Sequence, residues 1–126
     1  LMIDYLTLIT APGHGDRRHQ VGAISRGLKL LAQELRVPVL LLAQLNRACD
    51  DRRDKRPRPS DLKESGDIEQ DADLILLPFR PSEYDETADQ AVADIHVAKF
   101  RHGRTGRVPV RWAGERMTFQ DEDRKW

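Results

Sequence analysis

The chain has 126 residues, enough for one small domain with a modest core and too few for two. Charged residues make up 33% and apolar residues 39%, which predicts a soluble globular protein and excludes a membrane-spanning one. The single cysteine, Cys49, excludes an internal disulfide framework and favours the cytoplasm, and the four scattered histidines do not suggest a zinc site.

The net charge is zero, but acidic and basic residues are segregated along the chain. Between Glu64 and Asp94 ten acidic residues stand against one basic residue, Arg80. Between Ile95 and Ala113 there are five basic residues and no acidic one. Such a segment can meet an anion such as phosphate, although composition alone favours a solvated basic hairpin without a ligand.

The first predicted element is a short apolar strand, Leu1–Ile3, which runs directly into Asp4. P-loop NTPases place a carboxylate beside a nucleotide-bound Mg²⁺ in this way, but an ordinary strand-end acid explains these residues equally well. The sequence has no phosphate loop of the form G-x-x-x-x-G-K followed by Ser or Thr, and it begins with leucine. We therefore expect a fragment of a longer ATPase, inactive in isolation.

A loop, a helix and a strand are predicted next. Ala11–Asp16 is rich in glycine and proline, and Asp16 can cap the helix that follows. Apolar residues at steps of three and four predict a helix of about five turns that ends before Pro38. These residues are Val21, Ile24, Leu28, Leu31 and Leu35. The continuous apolar run Val39–Ala43 is typical of a parallel strand covered on both faces.

The second half of the chain alternates between loops and strands. A charged, proline-rich loop, Ala48–Pro59, precedes a short helix around Ile68 and a second buried strand, Leu74–Leu77. Ala93–Phe100 and Arg107–Trp112 alternate and are predicted to form a hairpin. Residues 121–126 are expected to be a frayed tail. This order predicts an α/β fold with a mostly parallel sheet, flanked by helices, and an antiparallel C-terminal hairpin.

Two polar residues close the first two predicted strands, Asp4 and Gln44. In open α/β sheets ligands bind outside the carboxyl ends of the strands. An amide there can bind a γ-phosphate or its attacking water and loses that partner after hydrolysis. Taken alone, Gln44 is better explained as a satisfied strand-end amide.

Two further groups of residues could contact phosphates. Alternation along the hairpin strand places Lys99 and Arg101 on one face, with Phe100 opposite, so both cations could reach a phosphate on a neighbouring subunit. In the loop that ends at Gly66, Lys63 supplies charge and the glycine allows close backbone approach, which suits a nucleic-acid backbone. Each pattern is weak when taken alone.

Five segments together are much more specific. In these segments, in order and over nearly its whole length, the chain resembles the C-terminal RecA-like motor domain of DnaB-type replicative DNA helicases. They are LMIDYL at 1–6, ISRGLK at 24–29, AQLNR at 43–47, SDLKESGDIEQDAD at 60–73 and AKFRHG at 98–103. The segment at 60–73 argues against another RecA-like ATPase, such as a recombination or clock protein.

The resemblance implies that residues 1–126 are the C-terminal portion of a single RecA-like motor domain, a partial P-loop NTPase fold. It implies a ring-shaped, cytoplasmic homo-hexamer that uses ATP and Mg²⁺ to move along single-stranded DNA and to unwind duplex during replication. Primase and a helicase loader are further implied partners, and no membrane is involved. The alternative is a non-catalytic module that keeps DNA binding or subunit contact.

The resemblance also implies roles for individual residues. Asp4 is similar to the Walker B carboxylate, which holds Mg²⁺ through water, and Gln44 to the sensor that links the γ-phosphate to the DNA loops. Lys99 and Arg101 are similar to the catalytic pair that binds ATP in trans, on the next subunit.

Other residues of the resemblance concern DNA. Lys63, Glu64 and Gly66 fall on the loop that touches the DNA backbone in the central channel, and Arg17 and Arg18 lie in a second channel-facing region. Lys63 departs from the arginine that is usual in the family, which a backbone contact tolerates. Phe100 replaces a residue that is commonly polar.

Overall fold

The computed structural model describes residues 1–10, 13, 15–46, 49–62 and 65–122. The chain divides into two units. The first contains residues 1–51 and 58–72, and the second contains residues 52–57 and the chain from residue 73 onwards. No helix in the described ranges is both long enough and apolar enough to cross a membrane.

A parallel strand pair forms the sheet of the first unit. Strand β1 (Met2–Ile3) pairs with β2 (Leu40–Leu41), with Met2 opposite Leu40 and Ile3 opposite Leu41. Backbone hydrogen bonds extend the pairing, because the Leu42 amide donates to Ile3 (3.0 Å) and the Leu6 amide donates to Leu42 (2.9 Å). The carboxyl ends of both strands therefore lie at the same edge.

Helix α1 (Arg17–Leu35) confirms the helix predicted from the apolar periodicity. Asp16 is its N-cap, and the Asp16 carboxylate accepts a hydrogen bond from the His19 amide at 2.9 Å. The helix ends where Arg36 adopts a left-handed conformation with φ 53°, two residues before Pro38. Val21 and Ile24 of the apolar stripe are buried.

Helix α2 (Ser65–Asp71) packs against α1 and confirms the short helix predicted around Ile68, whose side chain is buried. The two helices approach closely at Gly22, where an added Cβ would lie 2.6 Å from an Asp67 carboxylate oxygen. One turn further along α1, the Arg26 guanidinium contacts the Asp71 carboxylate at 3.4 Å. The glycine thus sets how near the second helix can come.

The second unit is a four-stranded antiparallel sheet in the order β3-β4-β5-β6. The strands are β3 (Leu74–Phe79), β4 (Val92–Phe100), β5 (Gly106–Ala113) and β6 (Thr118–Asp121). The β4–β5 pair is the predicted hairpin. Strand β6 was not predicted, and it includes Asp121, the first residue of the tail that was expected to fray. Residues 123–126 lie outside the described ranges, so fraying there stays a prediction.

The α/β class is confirmed, but the parallel pairing is shorter and the antiparallel pairing more extensive than predicted. Strand β3 pairs with β4 in antiparallel register, with Leu77 opposite His96. The prediction that residues 74–77 form a buried strand is correct for one face only, because Ile75 and Leu77 are buried while Leu74 and Leu76 are each 45% exposed. The same correction applies to residues 39–43, where Leu40 and Leu42 are exposed. Alternation along each strand gives the two faces different surroundings.

Aromatic rings and arginines pack together in the second unit. Trp112 on β5 contacts Phe119 on β6 with ring centroids 4.9 Å apart, and the Arg80 guanidinium lies 4.3 Å from the Trp112 centroid. Cation–π contacts of this kind stabilise a sheet face without requiring a fully apolar core. The Trp112–Phe119 contact therefore adds a side-chain contact to the backbone pairing that joins the four residues of β6 to β5.

A second contact of this type lies at the start of the same unit. The Arg56 guanidinium lies 4.4 Å from the Phe79 ring centroid and also forms an ion pair with Asp94 on β4. Phe79 in turn stacks on Tyr84 at 5.8 Å. Arg56 therefore fastens the proline-rich segment to the sheet.

Candidate functional site

Asp4 and Gln44 lie at the same edge of the parallel pair. Asp4 follows β1 directly, and Gln44 comes three residues after the end of β2. Both side chains are exposed. The peptide bond between Asp4 and Tyr5 is cis. The structure thus brings a carboxylate and an amide to the carboxyl edge of two adjacent parallel strands, the position at which open α/β sheets bind ligands.

The donor set at this edge is suited to one kind of metal. Within the described ranges, no group of three or more His, Cys, Asp or Glu side chains could hold a metal ion by itself. Mg²⁺ keeps several waters and commonly takes only one or two carboxylates, with substrate phosphates completing its coordination. A single carboxylate, that of Asp4, fits this requirement and does not fit a structural zinc site.

The strand-end segment that contains Gln44 is joined to the segment that begins the 60–73 motif. Leu45 and Leu62 form an isolated antiparallel bridge, and the Asn46 amide donates to the Asp61 carbonyl at 2.7 Å. Gln44 is therefore one residue away from a backbone bridge to the loop carrying the predicted DNA contacts.

Asp61 was not predicted to have a role of its own. It is only 3% exposed, and its carboxylate accepts from the Arg58 amide at 2.8 Å, which caps a short 3₁₀ turn at Pro59–Asp61. Buried acids need such partners. The Pro-Ser-Asp sequence is compatible with a capped turn, but nothing in the sequence distinguishes a buried aspartate from an exposed one.

Cys49 is a second buried group near this linkage. Burial, with a further contribution from the neighbouring Asp50 carboxylate, raises the pKa of the Cys49 thiol. Its Sγ lies 3.5 Å from the Asn46 carbonyl oxygen. A buried, protonated thiol is unreactive, so Cys49 acts as a small core residue.

Of the predicted DNA loop, Lys63 and Glu64 lie outside the described residues. Gly66 is the second residue of α2 and is exposed. A Cβ added at Gly66 would meet no atom within 4 Å, and the backbone has no positive φ there. The described part of the fold therefore does not itself require glycine at this position.

Arg17 has structural bonds that the sequence did not reveal. Its guanidinium donates to the backbone carbonyls of Ile9 (2.9 Å) and Leu6 (3.2 Å), which tie the start of α1 to the segment that follows Asp4. Arg18 is exposed. The two neighbouring arginines thus have different surroundings, and the channel-facing position of both stays a prediction.

Lys99 and Arg101 lie at the end of β4 in the second unit, on one face of the sheet. Lys99 pairs with Ile75, and the Arg101 amide donates to the Asp73 carbonyl at 2.8 Å, one step beyond the Leu74–Phe100 pair. Alternation along β4 places Phe100, the partner of Leu74, on the other face. Its ring lies where a side chain at Gly103 would have to go, so it packs against the turn after β4.

The fold is that of part of a RecA-like domain. Two solved structures share the fold with a TM-score of 0.91 and 41% sequence identity over 97% of this chain. One is a DnaB-like replicative helicase, described with its interactions with primase, of which 30% is matched. The other is an ATPase domain, of which 44% is matched. The predicted RecA-like fold is confirmed.

The family follows from the sequence. The DnaB-like helicase C terminal domain matches residues 1–121, and the chain belongs to this family. The replicative DNA helicase DnaB of Pasteurella multocida is 50% identical over 123 residues, which are 96% of this chain and 26% of that protein. The replicative DNA helicase DnaC of Bacillus subtilis is 43% identical over 129 residues, 28% of its length. The chain thus spans about a quarter of the curated relatives, and the resemblance predicted from the five segments is confirmed.

Proposed function

We propose that this chain is the C-terminal portion of the motor domain of a ring-shaped, ATP-dependent replicative DNA helicase, which moves along single-stranded DNA and unwinds duplex during replication. The observation that carries this proposal is the shared position of Asp4 and Gln44 at the carboxyl edge of two parallel strands. Membership of the DnaB-like family supports it.

At this edge, Asp4 is the residue that would hold Mg²⁺, through a bound water. When bound, the ion neutralises charge on the β- and γ-phosphates of ATP. Gln44 donates a hydrogen bond to the γ-phosphate or orients the attacking water, and it loses this partner once the phosphate leaves. Both side chains are exposed, which leaves them accessible to a nucleotide held by residues elsewhere in the motor.

Lys99 and Arg101 act in trans, on the nucleotide of the neighbouring subunit. They share one face at the end of β4, with Asp73 opposite Arg101 and Ile75 opposite Lys99. A cation held on a sheet end loses less freedom when it meets a phosphate than one on a flexible loop does. Such an arginine contributes about 10³–10⁵-fold to phosphoryl transfer by stabilising the charge of the transition state.

The loop with Lys63, Glu64 and Gly66 contacts the DNA backbone. Glycine within a helix costs stability relative to alanine, and the described fold supplies no internal reason for Gly66. Close approach of an external phosphate to the backbone is such a reason. Contacts of this type position a strand and do not read its sequence.

The proposed assembly is a cytoplasmic homo-hexamer: a finger in trans requires at least a second copy of the chain, and membership of the DnaB-like family supports six copies and the cytoplasm. Primase is a proposed partner, since a protein with 41% identity to this chain was solved in a study of its interactions with primase. A helicase loader is a further proposed partner, on the basis of family membership.

A subunit-mixing experiment tests the trans arrangement. In the full-length protein that contains this chain, Arg101→Ala should reduce ATP turnover by about 10³-fold or more while nucleotide binding changes little. Asp4→Ala should also inactivate the ring. Hybrid rings that contain both variants should regain activity, because an Asp4→Ala subunit can supply Arg101 to a neighbour whose Asp4 is intact.

Three results would contradict the proposal. Near-normal turnover of Arg101→Ala rings would remove the finger role. Hybrid rings as inactive as either parent, with intact hexamers demonstrated, would contradict action in trans. A wild-type ring that binds single-stranded DNA but shows no ATP turnover would instead support the non-catalytic module.

Salt dependence tests the DNA contact separately. Lys63→Ala should weaken single-stranded DNA binding about equally for different sequences and reduce the log–log salt slope by about 0.7 for each phosphate that is no longer neutralised. Gly66→Val should weaken binding by steric blockade, with a smaller change of slope. Lys55→Ala, which removes a lysine elsewhere, is the matched control. Unchanged affinity in an intact Lys63→Ala ring would exclude this loop from the channel.

A further inference from the structure

The proposed arginine finger is held at two points by Asp73, the acidic residue that directly precedes the neighbouring strand β3. The backbone amide of Arg101 donates to the Asp73 carbonyl at 2.8 Å, and the Arg101 Nε lies 3.3 Å from the Asp73 carboxylate oxygen Oδ1. Both residues belong to the second unit. Main chain and side chain of the arginine are thus fixed against the same partner.

The strand register explains why the two side chains meet. Leu74 is the partner of Phe100, and one step beyond this last strand pair the Arg101 amide donates to the Asp73 carbonyl, so Asp73 and Arg101 continue the register. Opposed residues of an antiparallel pair project to the same face, so an acid and a base placed there interact directly. Lys99 lies on this face as well, opposite Ile75.

The Asp73 carboxylate contacts the Arg101 guanidinium at Nε, and this position determines the effect of the contact. Nε is the donor nearest the side-chain stem, and the two Nη groups at the far end of the guanidinium can still bind a phosphate bidentately when Nε is engaged. A contact at Nε restrains rotation of the whole planar group. The Arg101 side chain is 50% exposed, so the restrained guanidinium is still partly accessible from solvent.

We propose that Asp73 is a positioning residue that orients the Arg101 guanidinium for the nucleotide of the neighbouring subunit. This inference rests on the finger role of Arg101 proposed above. Exposed ion pairs add little to folding stability, and the side chains here are 50% and 46% exposed. The effect of Asp73 is therefore expected in turnover, since poor orientation of a catalytic group costs rate and not binding.

The test uses single and double variants of the full-length helicase. Asp73→Ala should lower kcat by about 10-fold with KM for ATP within about 2-fold of the wild type. Asp73→Asn, whose amide oxygen still accepts from Nε, should recover most of that reduction. In an Arg101→Ala background, Asp73→Ala should have no further effect, because the group it orients is gone.

Asp71→Ala is the matched control. Asp71 lies two residues earlier and also forms an ion pair, with Arg26 at 3.4 Å, but on a different element. Its kcat should stay near the wild-type value. Hexamer formation is checked for each variant by native mass spectrometry.

The outcomes separate the two proposals. If Arg101→Ala rings keep normal turnover, the finger role itself fails. If Arg101→Ala is inactive while Asp73→Ala turns over at the wild-type rate, only the positioning role of Asp73 is wrong. A reduction caused by Asp73→Ala that is equally large in the Arg101→Ala background also overturns it, because Asp73 would then act independently of the arginine.

Discussion

Two glycines of helix α1 should respond oppositely to the same substitution. Gly22 and Gly27 both lie in the interior of the helix, where alanine is more favourable than glycine by about 0.8–1.0 kcal/mol. An added Cβ at Gly27 would meet nothing within 4 Å, whereas one at Gly22 would lie 2.6 Å from Asp67 Oδ2 and 3.1 Å from Asp67 Cγ. The full stabilisation expected from replacing a helical glycine by alanine is therefore available only at Gly27.

The magnitudes follow from these distances. Gly27→Ala should raise the free energy of unfolding by about 0.8–1.0 kcal/mol. At Gly22 the same gain is offset by displacing Asp67 or moving α2, and overpacking costs about 1–3 kcal/mol. Asp67 is exposed and can rotate, which favours the lower end. Gly22→Ala should then be neutral or destabilising by up to about 2 kcal/mol, at least about 1 kcal/mol below Gly27→Ala.

Urea unfolding followed by far-ultraviolet circular dichroism measures this difference in stability in the first unit, which contains both glycines. Both described α-helices belong to the first unit, so the helical signal reports its unfolding. The double variant Gly22→Ala/Asp67→Ala should be more stable than Asp67→Ala by about 0.8 kcal/mol, because the clash is removed and the helix gain remains. Equal stabilisation by Gly22→Ala and Gly27→Ala in the wild-type background would show that α2 does not pack closely on α1.

Three further predictions concern catalysis, pH and packing. The 126-residue chain alone should not hydrolyse ATP, because its sequence contains no phosphate loop; turnover abolished by Asp4→Ala would contradict this. Hydrogen bonding to the His19 amide lowers the pKa of Asp16 from its ordinary 3.8. The charged Asp16 cap therefore stabilises α1 fully above pH 3.8, and this stabilisation is lost as the pH falls through the lowered pKa. Circular dichroism should show a steeper acid loss of helix in the wild type than in Asp16→Asn, and equal slopes would refute the cap. Asp94→Ala should lower the free energy of unfolding by about 1–3 kcal/mol, because Asp94 and Arg56 are only 14% and 29% exposed and their ion pair is shielded from water. Glu83→Ala, which removes a 57% exposed partner of Arg80, should cost less than about 1 kcal/mol, and urea unfolding followed by tryptophan fluorescence compares the two.

The elements that the sequence predicted are those whose pattern is local. Helix α1 follows from apolar residues at steps of three and four and from the capping residue Asp16. The β4–β5 hairpin follows from alternation on either side of a glycine-containing turn. Both elements are determined by residues that are close together in sequence, so the spacing of their apolar residues is sufficient to predict them.

The features that the sequence did not predict depend on contacts between distant residues. Strand β6 has only four residues, follows a left-handed Met117, and is held by the contact of Phe119 with Trp112. Burial of Asp61 depends on its turn and its bond to Asn46. The antiparallel pairing of β3 was missed because an apolar run does not specify the direction of its partner.

The candidate site divides in the same way. Asp4, Gln44, Lys99 and Arg101 were chosen by residue type, strand position and family resemblance, and the structure places the members of each pair on a common edge or face. The sequence does not distinguish Asp73 from the other nine acidic residues between Glu64 and Asp94, because it does not show which basic residue each of them contacts. Only the register of β3 with β4 identifies it.

The backbone bridge between Leu45 and Leu62 bears on how a nucleotide could influence DNA binding. Gln44 precedes one bridge partner directly, and the predicted DNA loop follows the other directly. If Gln44 moves when its phosphate partner leaves, one peptide unit and the Leu45–Leu62 bridge connect that movement to residue 62. The carboxylate of Asp61, which is buried and hydrogen-bonded, limits deformation of the chain at this bridge. The proposed finger, Arg101, belongs to the other unit and, in the proposed ring, would act on the nucleotide of a neighbouring subunit. In the proposed ring, one chain would therefore read its own nucleotide through the first unit and complete its neighbour's site through the second.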